Sequence, residues 1–503
     1  MVSWNAPLLA SAILLAVYVA RRARRRSLGR LPPGPKGWPL IGNISDIPHE
    51  YSWLTYMEWA KIYGDIIYLE PLGSPTVILN NLEDAHELLD NRSAITADRP
   101  RMVMANELYG WEWDFAHMRH DERWRLHRKA FHQYFQQKNM PVHYPAIRKA
   151  SLTLLNQLLM SPERFRSHLR QLASTVILKI TYDHEVVSED DYYVALADKA
   201  LKALLPVVHV GSSIVDVIPA LKHIPAWFPG AKFKKDGQVY SQWTLEMRDV
   251  PFEQAKKELS TGTIGPCFVA DAIGREKESE EIIRNSAGIA YAAGSDTTVA
   301  IVASFLLAAL HYPEIQTRAR EELDAVTGGT RLPDFDDRPS LPYIDAIISE
   351  VFRWAPPTPL AVMHRSQEPD VYKGYYFPAG TTFIPNVYGI FHDEKRFPEP
   401  FKFRPERFLG ENADFDPMAM GGFGYGRRIC PGRHVALNSA WLAISQILTA
   451  FTISPKRDEN GKEKLVPPQW NSGLISHPAP FEIDIIPRSK KAVEMIQRAN
   501  LEV

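Results

Sequence analysis

Phe423-Gly424-Tyr425-Gly426-Arg427-Arg428-Ile429-Cys430-Pro431-Gly432 encloses one of only two cysteines in this 503-residue chain within glycine, proline and arginine. Glycine lets a backbone bend and approach a flat cofactor closely. Nearby arginine charge is expected to favour the thiolate, the form of cysteine that binds metal. A structural zinc site would need about four Cys/His ligands in short paired spacings, and the other cysteine, Cys267, lies far away in Gly-Pro-Cys-Phe. Cys267 reads as a packed small hydrophobe.

A lone thiolate points to haem. Phe423, Gly426, Arg428, Cys430 and Gly432 fill every fixed position of the loop Phe-x-x-Gly-x-Arg-x-Cys-x-Gly. On these residues the chain resembles the cytochrome P-450 superfamily, the haem-thiolate monooxygenases, in its fungal microsomal form. The resemblance implies a mainly α fold, a triangular helical domain with a smaller β-rich portion. It also implies haem b (iron protoporphyrin IX) with Cys430 as axial iron ligand, Phe423 beside the sulfur, Arg428 on a propionate and Gly432 among the cofactor-binding residues.

Composition is that of an ordinary globular protein, and the formal net charge of −1 gives no general electrostatic case for nucleic acid. Two cysteines cannot make a disulfide framework, which suits a reducing compartment or a cytosol-facing domain. No heptad run or repeat is evident.

Trp4 to Ala20 is predominantly apolar and is followed by Arg21, Arg22, Arg24, Arg25, Arg26 and Arg30. Cleaved signals carry their charge before the apolar run, so this order predicts a retained transmembrane signal-anchor over residues 1–20. The positive-inside rule places the following body in the cytosol. Pro32-Pro33-Gly34-Pro35 makes 21–43 a basic and proline-rich hinge, leaving 44–503 as the catalytic domain. The expected location is the endoplasmic reticulum membrane, single-pass.

Ala287 to Leu310 is a second apolar run long enough to span a bilayer. Asp296 at its centre would cost about 2.5 to 3.5 kcal/mol on insertion, so a long helix buried in a large domain, ending before Pro313, is expected. Its segment Ala293-Gly294-Ser295-Asp296-Thr297-Thr298 resembles the family's oxygen-activating segment. Small residues leave space, and a threonine hydroxyl can bond the carbonyl one turn earlier and distort the helix. The resemblance implies that Thr297 hydrogen-bonds dioxygen and that Asp296 relays protons from solvent.

Glu350 and Arg353 stand three apart and share a helical face. With Arg407 in Pro405-Glu406-Arg407-Phe408, their order resembles the family's buried Glu-Arg-Arg network, a structural support for the haem side. Trp124 and Arg128, four apart, match its Trp-x-x-x-Arg helix. By resemblance both would meet haem propionates, as would His364.

No flavin or nicotinamide motif is evident, so electrons must come from a partner. The resemblance implies NADPH-cytochrome P-450 reductase, with dioxygen and NADPH-derived electrons as cosubstrates. Arg125, Lys129, Arg427 and Arg433 are candidates for its docking patch. By family position, Trp111, Trp113 and Phe115 would cover the substrate pocket, Ala290 and Ala293 would wall it, and Leu360, Val362, Met363, Leu474 and Ile475 would close it. Such an apolar site favours a small lipophilic substrate. Ile224-Pro225-Ala226-Trp227-Phe228-Pro229, near Lys232, Lys234 and Lys235, reads as an apolar wedge dipping into the bilayer. The expected activity is hydroxylation of a secondary metabolite, a terpenoid first, then an aromatic polyketide or indole amine. Alternatives are a reductase-independent haem-thiolate isomerase or dehydratase, and a non-catalytic membrane haem protein.

Overall fold

A computed structural model describes residues 29–188, 190–208, 212–410 and 416–502. The expected anchor over 1–20 and the first part of the hinge lie outside the described residues.

The longer helices are α1 (Ser52–Tyr63), α2 (Glu122–Phe135), α3 (Met140–Met160), α4 (Phe165–Tyr182), α5 (Tyr192–Leu204), α6 (Lys232–Thr261), α7 (Glu280–His311), α8 (Glu314–Thr327), α9 (Pro342–Trp354), α10 (Arg433–Ala450) and α11 (Lys490–Glu502). Strands β1 (Ile66–Leu69), β2 (Thr76–Leu79), β3 (His364–Arg365) and β6 (Thr382–Pro385) form one sheet in the order β1-β2-β6-β3. β2 runs parallel to β6, and the other two pairings are antiparallel. Two hairpins complete the strands: β4 (Asp370–Tyr372) with β5 (Tyr375–Phe377), and β7 (Phe451–Pro455) with β8 (Ile483–Pro487). The architecture is mainly helical with a small sheet, as the resemblance implied.

The central apolar run is α7, a helix buried inside the protein along most of its apolar window. Ser279 caps its start by accepting from Ile282 N–H, Glu280 and Glu281 occupy the first turn, and His311 lies in the last. That polarity complements the helix dipole. Gly294 is what lets α4 pack closely: a Cβ there would sit 2.6 Å from Ile177 Cγ1.

α9 is amphipathic and buries Glu350 and Arg353 along with its apolar face. Arg353 donates to Glu350 through Nε at 2.6 Å and Nη2 at 2.8 Å, with both side chains fully buried. Arg404 N–H donates to the same carboxylate at 2.7 Å, and Arg353 also reaches the carbonyls of Phe391, Pro400 and Lys402. Arg407 is the looser third member: its Nε lies 3.4 Å from Glu350, while its terminal nitrogens bond the carbonyls of Pro398 and Glu399. The network thus ties α9 to the segment leading into the cysteine loop.

Candidate functional site: an apolar cavity over Cys430

The cysteine loop is built by backbone constraints. Cys430 N–H donates to Phe423 carbonyl at 2.8 Å, closing the loop, and Gly432 caps the start of α10. Gly426 holds φ +52°, and a Cβ there would lie 2.3 Å from Leu89 carbonyl, so a side chain is excluded. Phe423 packs against Phe352 of α9 with ring centroids 4.9 Å apart.

Above the loop lies a cavity of about 270 Å³. Cys430, Phe423 and Gly432 form its floor residues, while Ala290, Ala293, Gly294, Thr297, Thr298 and Ile301 supply the α7 wall. Phe115, Trp124, Arg128, Val362, His364 and Arg428 also line it. Segments remote in sequence therefore converge on one space.

Burial pushes the Cys430 thiol up, opposed by backbone N–H groups of Gly432 and Arg433 and by the charges of Arg128 and Arg433. The expectation that neighbouring arginines favour the thiolate is corrected in its sources. Arg427 is exposed, and Arg428 turns its guanidinium away to the carbonyls of Ala97, Phe115 and Met118. The compensating charge comes from α2 and from the start of α10.

Three guanidinium groups reach this otherwise apolar cavity. Burial lowers Arg99 to about 9, Arg128 to about 10 and Arg428 to about 8. None has a salt-bridge partner among the described residues. The nearby carboxylates are engaged elsewhere, Asp98 with Arg119 at 3.0 Å and Asp114 with His117 at 2.6 Å. Buried cations call for anions. Haem fits this donor set: Cys430 could hold the iron, and the three arginines could hold the two propionates. Trp124 lies under Arg428, 4.3 Å from guanidinium carbon to ring centre.

Arg99 was missed in the sequence because a lone arginine before a proline has no spacing signal. Its role comes from tertiary contacts, with Nε on Ala116 carbonyl and Nη1 on those of Val362 and Met363. Arg99 stands beside His364, whose ring is buried and held well below its ordinary pKa by burial and by Arg99 and Arg428. His364 Nδ1 lies 3.1 Å from Thr96 carbonyl, which places the neutral ring's proton there and leaves Nε2 an acceptor. In that state Nε2 offers a carboxylate no N–H, and Arg99 is the charged donor beside the ring.

The pocket assignments divide. Phe115, Ala290, Ala293 and Val362 line the main cavity. Leu360, Met363 and Leu474, with Val362 again, line a smaller neighbouring cavity that shares Arg99 and Ala361 with it. Ile475 lines neither. Trp111 and Trp113 do not reach the cavity: they stack on each other at 5.3 Å, and Trp113 fills the space left by Gly288. Their indoles are core packing. Thr297 Oγ1 donates to Ala293 carbonyl at 3.0 Å without interrupting α7. Asp296 is outside the cavity lining, and its Oδ2 lies 3.1 Å from His477 Nε2.

A lone cysteine on a glycine-shaped loop, beneath an apolar cavity rimmed by unpaired arginines, defines a haem-thiolate protein. The Cytochrome P450 family model matches residues 32–485. Similar chains include a cytochrome P450 monooxygenase of Armillaria gallica, 39% identical over 96% of this chain and 97% of its own. Another is the cytochrome P450 monooxygenase ple1 of Rhodocybe pseudopiperita, 38% identical over 98% and 95%. The tryptamine 4-monooxygenase of Psilocybe cyanescens is 37% identical over 97% and 99%. The chain belongs to the cytochrome P450 family, and it is a haem b monooxygenase using dioxygen and NADPH-derived electrons with a small substrate and a redox partner.

Proposed function

We propose that the protein hydroxylates an uncharged lipophilic secondary metabolite, of terpenoid class, with electrons delivered by NADPH-cytochrome P-450 reductase. The observation that carries the substrate reading is the charge of the cavity. No aspartate or glutamate lines it among the described residues, and its titratable rim consists of arginine, His364 and Cys430. An ammonium group would find no anion there, which disfavours an indole amine despite the likeness to a tryptamine hydroxylase. Phe115, Val176, Ile177, Ile289 and Ile301 instead offer aromatic and branched surface to a hydrocarbon skeleton.

Cys430 would hold the haem iron through its thiolate, and Arg99, Arg128, Arg428 and Trp124 would orient the propionates. Haem, when bound, supplies the activation of dioxygen. Ala293 would leave room for that dioxygen, Thr297 would hydrogen-bond it, and Asp296 would bring protons from solvent. Glu350, Arg353 and Arg407 hold the loop's approach in place.

Membrane attachment at the endoplasmic reticulum, with the catalytic domain cytosolic, is part of the same proposal. It is supported by the apolar run and arginine cluster of the N-terminal sequence. A second support is the exposure of Trp227 (78%) and Phe228 (49%) beside lysines. Exposed Arg125, Lys129 and Arg427 are the proposed reductase contacts. Expression in microsomes with the reductase, feeding of sesquiterpenes, aromatic polyketides and tryptamine, and mass spectrometry test the reading. Oxygen insertion into tryptamine alone would overturn the substrate class.

A further inference from the structure

We propose that His477, on the irregular segment after Trp470, is the outer partner of Asp296 and passes protons to it from solvent. The inference rests on the reading of Asp296 as proton donor and adds the residue that feeds it.

The α7 residues that line the cavity include Ala293, Gly294, Thr297 and Thr298, with Asp296 left out. Its carboxylate meets His477 Nε2 at 3.1 Å instead. The side chains are 15% and 23% exposed respectively, so the pair lies between the cavity wall and water. A carboxylate behind the wall needs a group beyond it to renew its proton, and imidazole is suited to that exchange near neutral pH.

The ring is placed by a built scaffold. Asn471 N–H donates to His477 carbonyl and Ser476 N–H to Pro357 carbonyl, both at 2.8 Å. Ser476 Oγ donates to Asn471 carbonyl at 2.9 Å, and Trp470 Nε1 reaches Ser304 Oγ of α7 at 3.4 Å. From α4, Arg166 donates to the carbonyls of Pro478 at 3.3 Å and Ala479 at 2.7 Å. Arg166 is the charged group that α4 brings to this segment, and its guanidinium is occupied by those carbonyls and by the Phe481 ring. Among the described residues, no other titratable side chain bonds Asp296 or the His477 ring.

The transfer balances simply. The imidazolium gives its Nε2 proton to Asp296 Oδ2, leaving neutral imidazole and a carboxylic acid. The acid would then hold a proton for delivery toward Thr297 and the cavity, and the ring would take another from bulk water. Electrons come from the redox partner. His477 acts through Asp296 and is a positioning and relay residue.

The test compares wild type, Asp296→Asn, His477→Gln and the double variant as haem-loaded full chains in membranes with reductase, dioxygen and NADPH. Carbon monoxide binding verifies equal loading. His477→Gln is expected to slow NADPH oxidation roughly tenfold and to raise its solvent deuterium isotope effect. The double variant should be no slower than Asp296→Asn. A second readout needs no turnover: the Nε2 resonance of His477 in NMR spectra of labelled histidine should shift in Asp296→Asn, because the 3.1 Å contact is lost. Wild-type rate and isotope effect in His477→Gln, with Asp296→Asn impaired, would overturn the relay and leave Asp296 as donor. Wild-type behaviour of Asp296→Asn would remove the reading beneath it. An unmoved resonance would show that the pair does not form in solution.

Discussion

Glu350 and Arg353 meet through two hydrogen bonds of 2.6 and 2.8 Å at full burial, one turn apart on α9. Removing one partner strands the other charge. Glu350→Gln or Arg353→Met should therefore cost about 3 to 5 kcal/mol, read by urea unfolding, and should sharply reduce the yield of protein that binds haem.

Among the described residues, Cys430 is the sole sulfur lining the main cavity. Cys430→Ser should abolish the red-shifted carbon monoxide band of the reduced protein while leaving helical circular dichroism intact. Retention of that band would mean another group ligates the iron.

The three unpaired arginines predict how tightly the cofactor is held. A hydrogen bond to a charged group contributes about 1.5 to 3 kcal/mol. Arg99→Leu and Arg128→Leu should thus each speed haem loss to apomyoglobin by roughly 10- to 150-fold. His364→Gln should change it far less, because that ring supplies no charge.

Gly294 and Ile177 set the spacing of α7 and α4. Gly294→Ala must displace Ile177, at an expected cost of about 1 to 3 kcal/mol. Ile177→Ala in the same chain should recover much of that loss, and a double-mutant cycle in thermal unfolding measures the coupling.

His392 is buried against Tyr388 and near Arg353, and burial lowers it from 6.5 to about 3. Its depressed value means that the unfolded chain binds the proton more readily. This residue's stabilising contribution is present above pH 6.5 and is lost as pH falls from 6.5 toward 3. Replacing His392 with Phe should flatten that part of the stability profile, measured by denaturant unfolding at stepped pH.

Local chemistry made several features legible. Gly426 of the cysteine loop is dictated by backbone conformation and by the close approach of Leu89 carbonyl, so it stands in the sequence as a fixed letter. A three-residue spacing placed Glu350 and Arg353 on one face, and Asp296 within an apolar run distinguished a buried helix from a span. Each signal depends on neighbours along the chain.

Other assignments depended on what packs where. Trp111 and Trp113 have the composition of a pocket cover, yet mutual stacking and the gap at Gly288 draw them into the core. Arg428 follows the loop's pattern, yet its guanidinium turns to three backbone carbonyls.

By itself, then, the sequence marked the cysteine loop and the long buried helix, because loop letters and apolar runs are local signals, and the family resemblance carried by that loop implied the ligand and the class of chemistry. Tertiary structure alone decided that Arg99 joins the cavity rim, that His364 is buried beside it and that His477 meets Asp296. These pairings join residues far apart in the chain, and only the packing of their elements brings the side chains within reach of one another.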